Sequence, residues 1–314
     1  MGELFAVLTS CCFGGSNVSM RRGMQRSPTP DNGIFMVNLT NVVLFVIVAL
    51  FLGGCGRLLP LTVTAFFLFV LAGVLTTFAG RYFHYAAIRL IGPSRATAIR
   101  VSSPVVTATL AFMFLGERLS MAQYLGGAAV LAGVALLARE ASKRECLEVS
   151  AFGEGEQGDA SGPTKARRSR YLGSLLAIAS AAAFGSGHFV RKAALSSVPS
   201  PWWGMLIGSV VGWLCVLLLG VLRAEIGPYF RHNLNLHHVP YFFVLAGLLN
   251  GFGQMFSFLS IYFLAVSLAS VAFAVEPLVT ALISRLALGQ EEPMGWQMVF
   301  ACLVTVAGLV LALI

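Results

Sequence analysis

Residues 103–134 read SPVVTATLAFMFLGERLSMAQYLGGAAVLAGV, and residues 276–309 read EPLVTALISRLALGQEEPMGWQMVFACLVTVAGL. Each stretch carries a proline at its start (Pro104, Pro277), halts at a glycine turn (Gly116, Gly289), and resumes as a second apolar run through Ala132-Gly133 or Ala307-Gly308. The prolines stand 173 positions apart, as do the turn glycines, while the Ala-Gly pairs stand 175 apart, so the second hairpin carries two extra residues. The starts of the halves also correspond. Gly2, Leu4, Ala6, Phe13 and Gly14 recur as Gly173, Leu175, Ala177, Phe184 and Gly185 at an offset of 171. The sequence therefore reads as a tandem repeat, residues 1–139 and 171–314, around a connecting stretch at 140–170.

Of the 314 residues, 57% are hydrophobic and 11% charged, and mean hydropathy is +0.83. A soluble domain carries about 25% charged residues, and its surface grows too fast with size to hide such an apolar excess. The composition excludes an ordinary soluble enzyme, a disordered chain and a secreted disulfide scaffold. A multi-pass membrane protein remains. Phe supplies 24 of the 35 aromatic residues, which suits contact with lipid.

Ten segments approach the roughly 20 apolar residues that cross a bilayer as a helix. They are Glu3–Met20, Gly33–Leu52, Leu61–Ile88, Ser94–Leu115, Met121–Ala138, Tyr171–Val190, Trp202–Leu222, Val239–Leu264, Ser267–Leu288 and Met294–Leu313. Their length favours helices over a barrel, whose strands would be short and alternating. The predicted fold is all-α, ten transmembrane helices in two five-helix repeats. Five is odd, so the second repeat enters the membrane from the opposite face, an inverted arrangement typical of transporters.

The net charge of +8 is no nucleic-acid footprint, because the bases cluster at span ends. The stretch 140–170 holds six basic and six acidic residues and reads as a charged linker. Loops after odd-numbered spans carry 14 Lys and Arg; loops after even-numbered spans carry four, Arg57, Arg118, Arg191 and Lys192. Arg81, Arg100 and Arg285 fall within or beside spans. The positive-inside rule then puts the linker in the cytoplasm and both termini outside the cell membrane, read as a bacterial inner membrane. The N-terminus lacks the basic start and the cleavage site of a signal peptide, so its first span is expected to be retained.

The paired motifs resemble the drug/metabolite transporter superfamily, in particular its EamA-type ten-helix branch. The resemblance rests on Ser103-Pro104, Leu115-Gly116-Glu117-Arg118-Leu119 and Leu131-Ala132-Gly133-Val134 in the first half. In the second half it rests on Val275-Glu276-Pro277-Leu278, Leu288-Gly289-Gln290-Glu291 and Val306-Ala307-Gly308-Leu309. The acid of the second turn is displaced by one position, and known members have both termini in the cytoplasm, opposite to the charge count here. The resemblance implies a secondary transporter of small metabolites, amino acid-like compounds or drug-like amphiphiles, export being the expected direction.

Charged side chains inside a bilayer cost about 2.5–3.5 kcal/mol each at a helix centre, so they mark cavities and partners. Glu276 stands before Pro277 near the middle of the ninth span and is the candidate for substrate binding and proton coupling. A buried carboxylate can take up a proton or pair with a cation, and inert helix packing is the alternative. Arg100, one turn before Pro104, is its natural partner, or else snorkels to the interface. Thr77, Arg81 and His84 lie at helical spacing in the third span, and Asn250, Gln254 and Ser257 repeat them 173 positions on. Matched stripes favour a shared cavity over plain interhelical bonding. Asn17 and His188 correspond at offset 171. Asn38 and Asn41 read as packing contacts; Tyr82, Tyr85 and Tyr262 line the cavity or mark the interface.

Cys11, Cys12, Cys55, Cys146, Cys215 and Cys302 contain no CxxC pair, and His232, His237 and His238 lack a second ligand cluster, so no metal or cofactor is expected. Gly204, Gly208 and Gly212, and Gly247 with Gly251, read as close-packing faces. Lys165–Arg170 is an orientation signal or an anionic-lipid contact. Neither a Walker A loop nor GxSxG appears, so no enzyme is expected. The expected partners are a small-molecule substrate, lipid and, if coupled, protons; no nucleic acid is expected, and a homodimer stays open. A channel, an intramembrane lipid-modifying enzyme and a non-transporting assembly partner are the rival readings.

Overall fold

The structure is a computed structural model that describes residues 1–26, 32–54, 60–91, 96, 99–118, 120–152, 163–222, 241–288 and 296–313. Every regular element among them is helical. Helix α1 spans Gly2–Arg26, α2 Asn32–Gly54 and α3 Val63–Gly73. A π-helical segment, Val74–Gly80, joins α3 to α4, Arg81–Ile91. Helix α5, Ser103–Leu110, runs into a second π segment, Ala111–Leu115. Then follow α6, Met121–Phe152, α7, Pro163–Ser197, α8, Pro201–Leu222, and α9, Tyr241–Phe263. Helices α10, Val266–Phe273, α11, Glu276–Leu288, and α12, Trp296–Leu313, complete the order. Among the described residues, five helical stretches are long and apolar enough to cross a membrane: Phe35–Leu52, Val63–His84, Tyr171–Ser197, Pro201–Leu219 and Tyr241–Phe263.

Two features differ from the sequence expectation. The stretch 140–170 is not simply a loop, because α6 continues to Phe152 and α7 begins at Pro163. Its Ala, Glu, Lys and Arg residues are good helix formers, Gly153 and Gly155 follow the end of α6, and proline suits a first helical position. The fourth and ninth spans are not continuous. Turns at Val101-Ser102 and Ala274-Val275 precede α5 and α11. The cause is the paired prolines: Pro104 and Pro277 have no N–H to offer the carbonyls of Arg100 and Phe273, four residues back. Both breaks fall at the same register of the repeat.

Packing follows the repeat. Helix α1 lies on α9, and α7 lies on α3 and α4. Helix α1 also packs on α11, and α7 on α5; α2 packs on α9, and α8 on α3. The remaining major pairs, α2 with α8 and α6 with α12, join an element to its own counterpart. Glycine permits the closest approaches. A Cβ on Gly73 would stand 2.8 Å from the Gly208 Cα, and one on Gly308 would stand 2.8 Å from the Gly126 carbonyl oxygen. The largest buried cluster, with Phe69, Met205, Phe258 and Ile261, sits among α3, α8 and α9.

One end of the bundle is tied by caps. Gly116, with φ at +66°, lets the chain turn after the second π segment. The next residue, Glu117, reaches across to α10 and accepts hydrogen bonds from Val266 N (3.0 Å), Ser267 N (3.2 Å) and Ser267 Oγ (2.7 Å). Lys192 donates to the Ile261 and Leu264 carbonyls at 2.8 and 2.7 Å. An anion therefore serves the start of α10 and a cation the end of α9, each matching the local helix dipole. The Gly116-Glu117 turn is structural, as expected from the sequence. The corresponding Gly289-Gln290-Glu291 turn lies outside the described residues.

Candidate functional site

The two helix breaks face each other through their charged residues. Arg100 precedes the first break, and Glu276 opens α11 just after the second. Glu276 is thus not mid-helix, as the sequence suggested, but at a helix start, where backbone N–H groups favour a negative charge. Arg100 Nη2 lies 3.3 Å from Glu276 Oε1, with the two side chains 17% and 12% exposed, so this arginine is paired rather than snorkelling. Asn17 Nδ2 on α1 donates to the same oxygen at 2.8 Å and reaches Thr280 Oγ1 at 3.4 Å. Arg100 also lies over the Phe184 ring of α7, 5.5 Å from its centroid. Two polar side chains, Arg100 and Asn17, therefore meet at one carboxylate oxygen.

A second cluster joins the matched stripes. Arg81 donates to Asn250 Oδ1 at 2.8 Å and to Asn38 Oδ1 at 3.2 Å, and Asn41 Nδ2 donates to Asn250 Oδ1 at 2.9 Å. Asn38 and Asn41, each 1% exposed, belong to this polar cluster and are more than packing contacts. Thr77 is buried in the π segment between α3 and α4, against Gly212 of α8. Gln254 and Ser257 are buried on α9, yet Gln254 Oε1 and Ser257 Oγ have no hydrogen-bond partner. These two do not join either cluster by a direct bond.

Both candidate histidines lie near Arg100. His84 and His188 each fall within Coulombic range of its guanidinium, and His188 packs on the Phe273 ring at 5.4 Å. Tyr82 and Tyr262 are exposed and pair with Phe78 and Phe263. The Tyr85 side chain and His232, His237 and His238 lie outside the described residues.

Sequence reasoning missed Arg191. Beside Lys192 it reads as a loop base, but α7 continues to Ser197 and Arg191 is only 3% exposed. Its Nη2 donates to Thr76 Oγ1 at 2.6 Å, and its guanidinium lies 4.5 Å from the Phe258 ring centroid. The signal was present: Ala193, Ala194 and Leu195 prolong the apolar run, and Pro199 marks its stop. Lys192, which also reads as a loop base, is the cap on α9.

Comparison with known proteins gives three findings. A family model described as EamA-like transporter family matches residues 1–139 and 171–314. A solved structure titled only "Crystal structure of protein" is similar over 99% of this chain and 95% of that one, with 18% sequence identity and a TM-score of 0.68, a likeness of fold. No curated protein matches.

Proposed function

The chain belongs to the EamA-like transporter family, and from that premise we propose that it is a secondary transporter that carries a small solute across a cell membrane by alternating access. Family membership makes it a multi-pass membrane protein. The observation that carries the mechanism is the Arg100–Glu276 pair between two helix breaks at one register of the repeat. Broken helices meeting near the midplane of inverted repeats are where transporters bind solutes and coupling ions. The exchange-related packing of α1 on α9 and α7 on α3 and α4 supports ten spans in two inverted repeats.

In this reading the site lies among α3–α4, α5, α9 and α10–α11, with α1 and α7 as its movable walls. Glu276 holds Arg100 and Asn17 while ionised. A proton arriving at Glu276 removes the charge that Arg100 needs and frees the guanidinium, so proton and solute compete for one residue. Export of a metabolite, amino acid-like or drug-like solute against proton entry follows, with the linker cytoplasmic. Facilitated diffusion without a coupling ion is the simpler form of the same cycle.

Glu276→Gln keeps an acceptor oxygen for Arg100 and Asn17 but cannot titrate. In proteoliposomes this variant is expected to retain solute exchange and to lose accumulation driven by a pH gradient. Accumulation that persists in the variant would exclude Glu276 as the coupling residue.

A further inference from the structure

Among the described residues, Arg191 has no anionic partner. Its polar contacts are one hydroxyl, Thr76 Oγ1, and the face of one ring, Phe258; its Nε has no hydrogen-bond partner. Among the described residues no carboxylate pairs with it, and Glu276 is engaged by Arg100. A guanidinium stays protonated in proteins, and a ring face with one hydroxyl compensates a buried charge only in part. The charge that acts on it is another cation. Arg81 lies within Coulombic range of Arg191. His188, one turn earlier on the same helix, falls within range of both Arg191 and Arg100, and its Nδ1 has no partner.

We propose that the solute carries a carboxylate or phosphate group and that Arg191 binds it, with His188 beside it. This rests on the transporter reading. A buried cation without a partner is a persistent cost, and a carboxylate or phosphate matches the planar fork of guanidinium donors better than any neutral group. Thr76 and Phe258 hold the guanidinium in place, and its Nε is left unpartnered for the solute. The arrangement also separates roles within the site. Glu276 neutralises Arg100 on one side, whereas the charge of Arg191 is left for the cargo. Gln254 Oε1 and Ser257 Oγ, buried and unbonded on α9 next to Phe258, supply polar contacts for the rest of the solute.

The test uses the purified full-length protein in detergent at fixed ionic strength. Its thermal stability is measured with succinate, citrate, glycerol 3-phosphate and phosphoenolpyruvate. Succinamide, glycerol and putrescine serve as neutral and cationic counterparts. At least one anion is expected to raise Tm by about 2–5 °C at saturation while its neutral counterpart leaves Tm unchanged. The dicarboxylates and the phosphate esters separate the two headgroup chemistries. Arg191→Gln is expected to weaken the anion response at least tenfold, and Arg191→Lys to keep part of it. Arg191→Lys retains the charge, so the comparison survives if the glutamine variant fails to fold. If Arg191→Gln lowers Tm but responds to the anion as the wild type does, Arg191 is a packing residue and the proposal is overturned. If only a neutral or cationic solute stabilises the protein and exchanges in proteoliposomes, the anion proposal falls and the transporter reading stands. If an anion stabilises through Arg191 but is not exchanged, the anion site stands and the transporter reading falls. No response to any of the four anions overturns the anion proposal.

Discussion

At the scale of single residues, the chemistry centres on a carboxylate that two helix breaks and α1 share. With side chains 17% and 12% exposed, Arg100 and Glu276 are shielded enough that losing one partner strands the other. Removing one member of a buried ion pair costs about 3–5 kcal/mol, while replacing both by apolar groups is often neutral. Arg100→Met is therefore expected to lower stability clearly, and Arg100→Met with Glu276→Leu to recover most of the loss. Denaturation midpoints of the two single variants and the double variant in one detergent check this. Additive losses would mean that the two side chains do not act as a pair. The sequence exposed both residues because a charge inside an apolar run is rare and the repeat put them near paired prolines. Arg191 escaped notice because it borders Lys192, and two adjacent bases look like a span end. Only the helix that continues beyond them turns one inward and the other onto the end of α9.

At the scale of elements, the repeat made the helices legible but not their interruptions. A proline in a span can kink a helix or end it, and the local sequence does not decide between these outcomes. Here the turns at Val101-Ser102 and Ala274-Val275 end it. The start of α10 shows how the fold supports such an end: two of its orphan N–H groups are answered by Glu117 from the other half of the chain. That contact is invisible in sequence because 149 positions separate Glu117 from Val266. Loss of a helix N-cap costs about 0.5–2 kcal/mol. Glu117→Ala is expected to lower Tm by a few degrees and to speed amide hydrogen exchange at Val266 and Ser267, with Glu117→Gln intermediate. Unchanged exchange at those two amides would show that the carboxylate does not cap α10.

At the scale of the whole molecule, three connections that the sequence assigns to one side of the membrane come together. They are the turn at Gly116-Glu117 after the fourth span, the end of α7 at Lys192 in the sixth, and the turn at Leu264-Ala265 after the eighth. The Glu117 and Lys192 caps join all three. Segments share a face only if an even number of crossings separates them, so the meeting fits the parity of ten spans. It also sharpens the orientation argument. With Arg191 buried and Lys192 bound to α9 carbonyls, the sparse side has fewer free bases than the sequence count allowed, and the contrast with the linker side grows. The expected outcome is a labelling pattern in intact cells. With the native cysteines replaced, Ser120→Cys and Ser197→Cys, both exposed positions, react with a membrane-impermeant maleimide. A cysteine at Ser161 in the linker reacts only after the cells are opened. If Ser161→Cys labels in intact cells and the other two do not, the orientation is reversed but the repeat survives. If Ser120→Cys and Ser197→Cys label from opposite sides, the inverted repeat fails, because an odd number of crossings would then separate two segments that meet at one pair of caps.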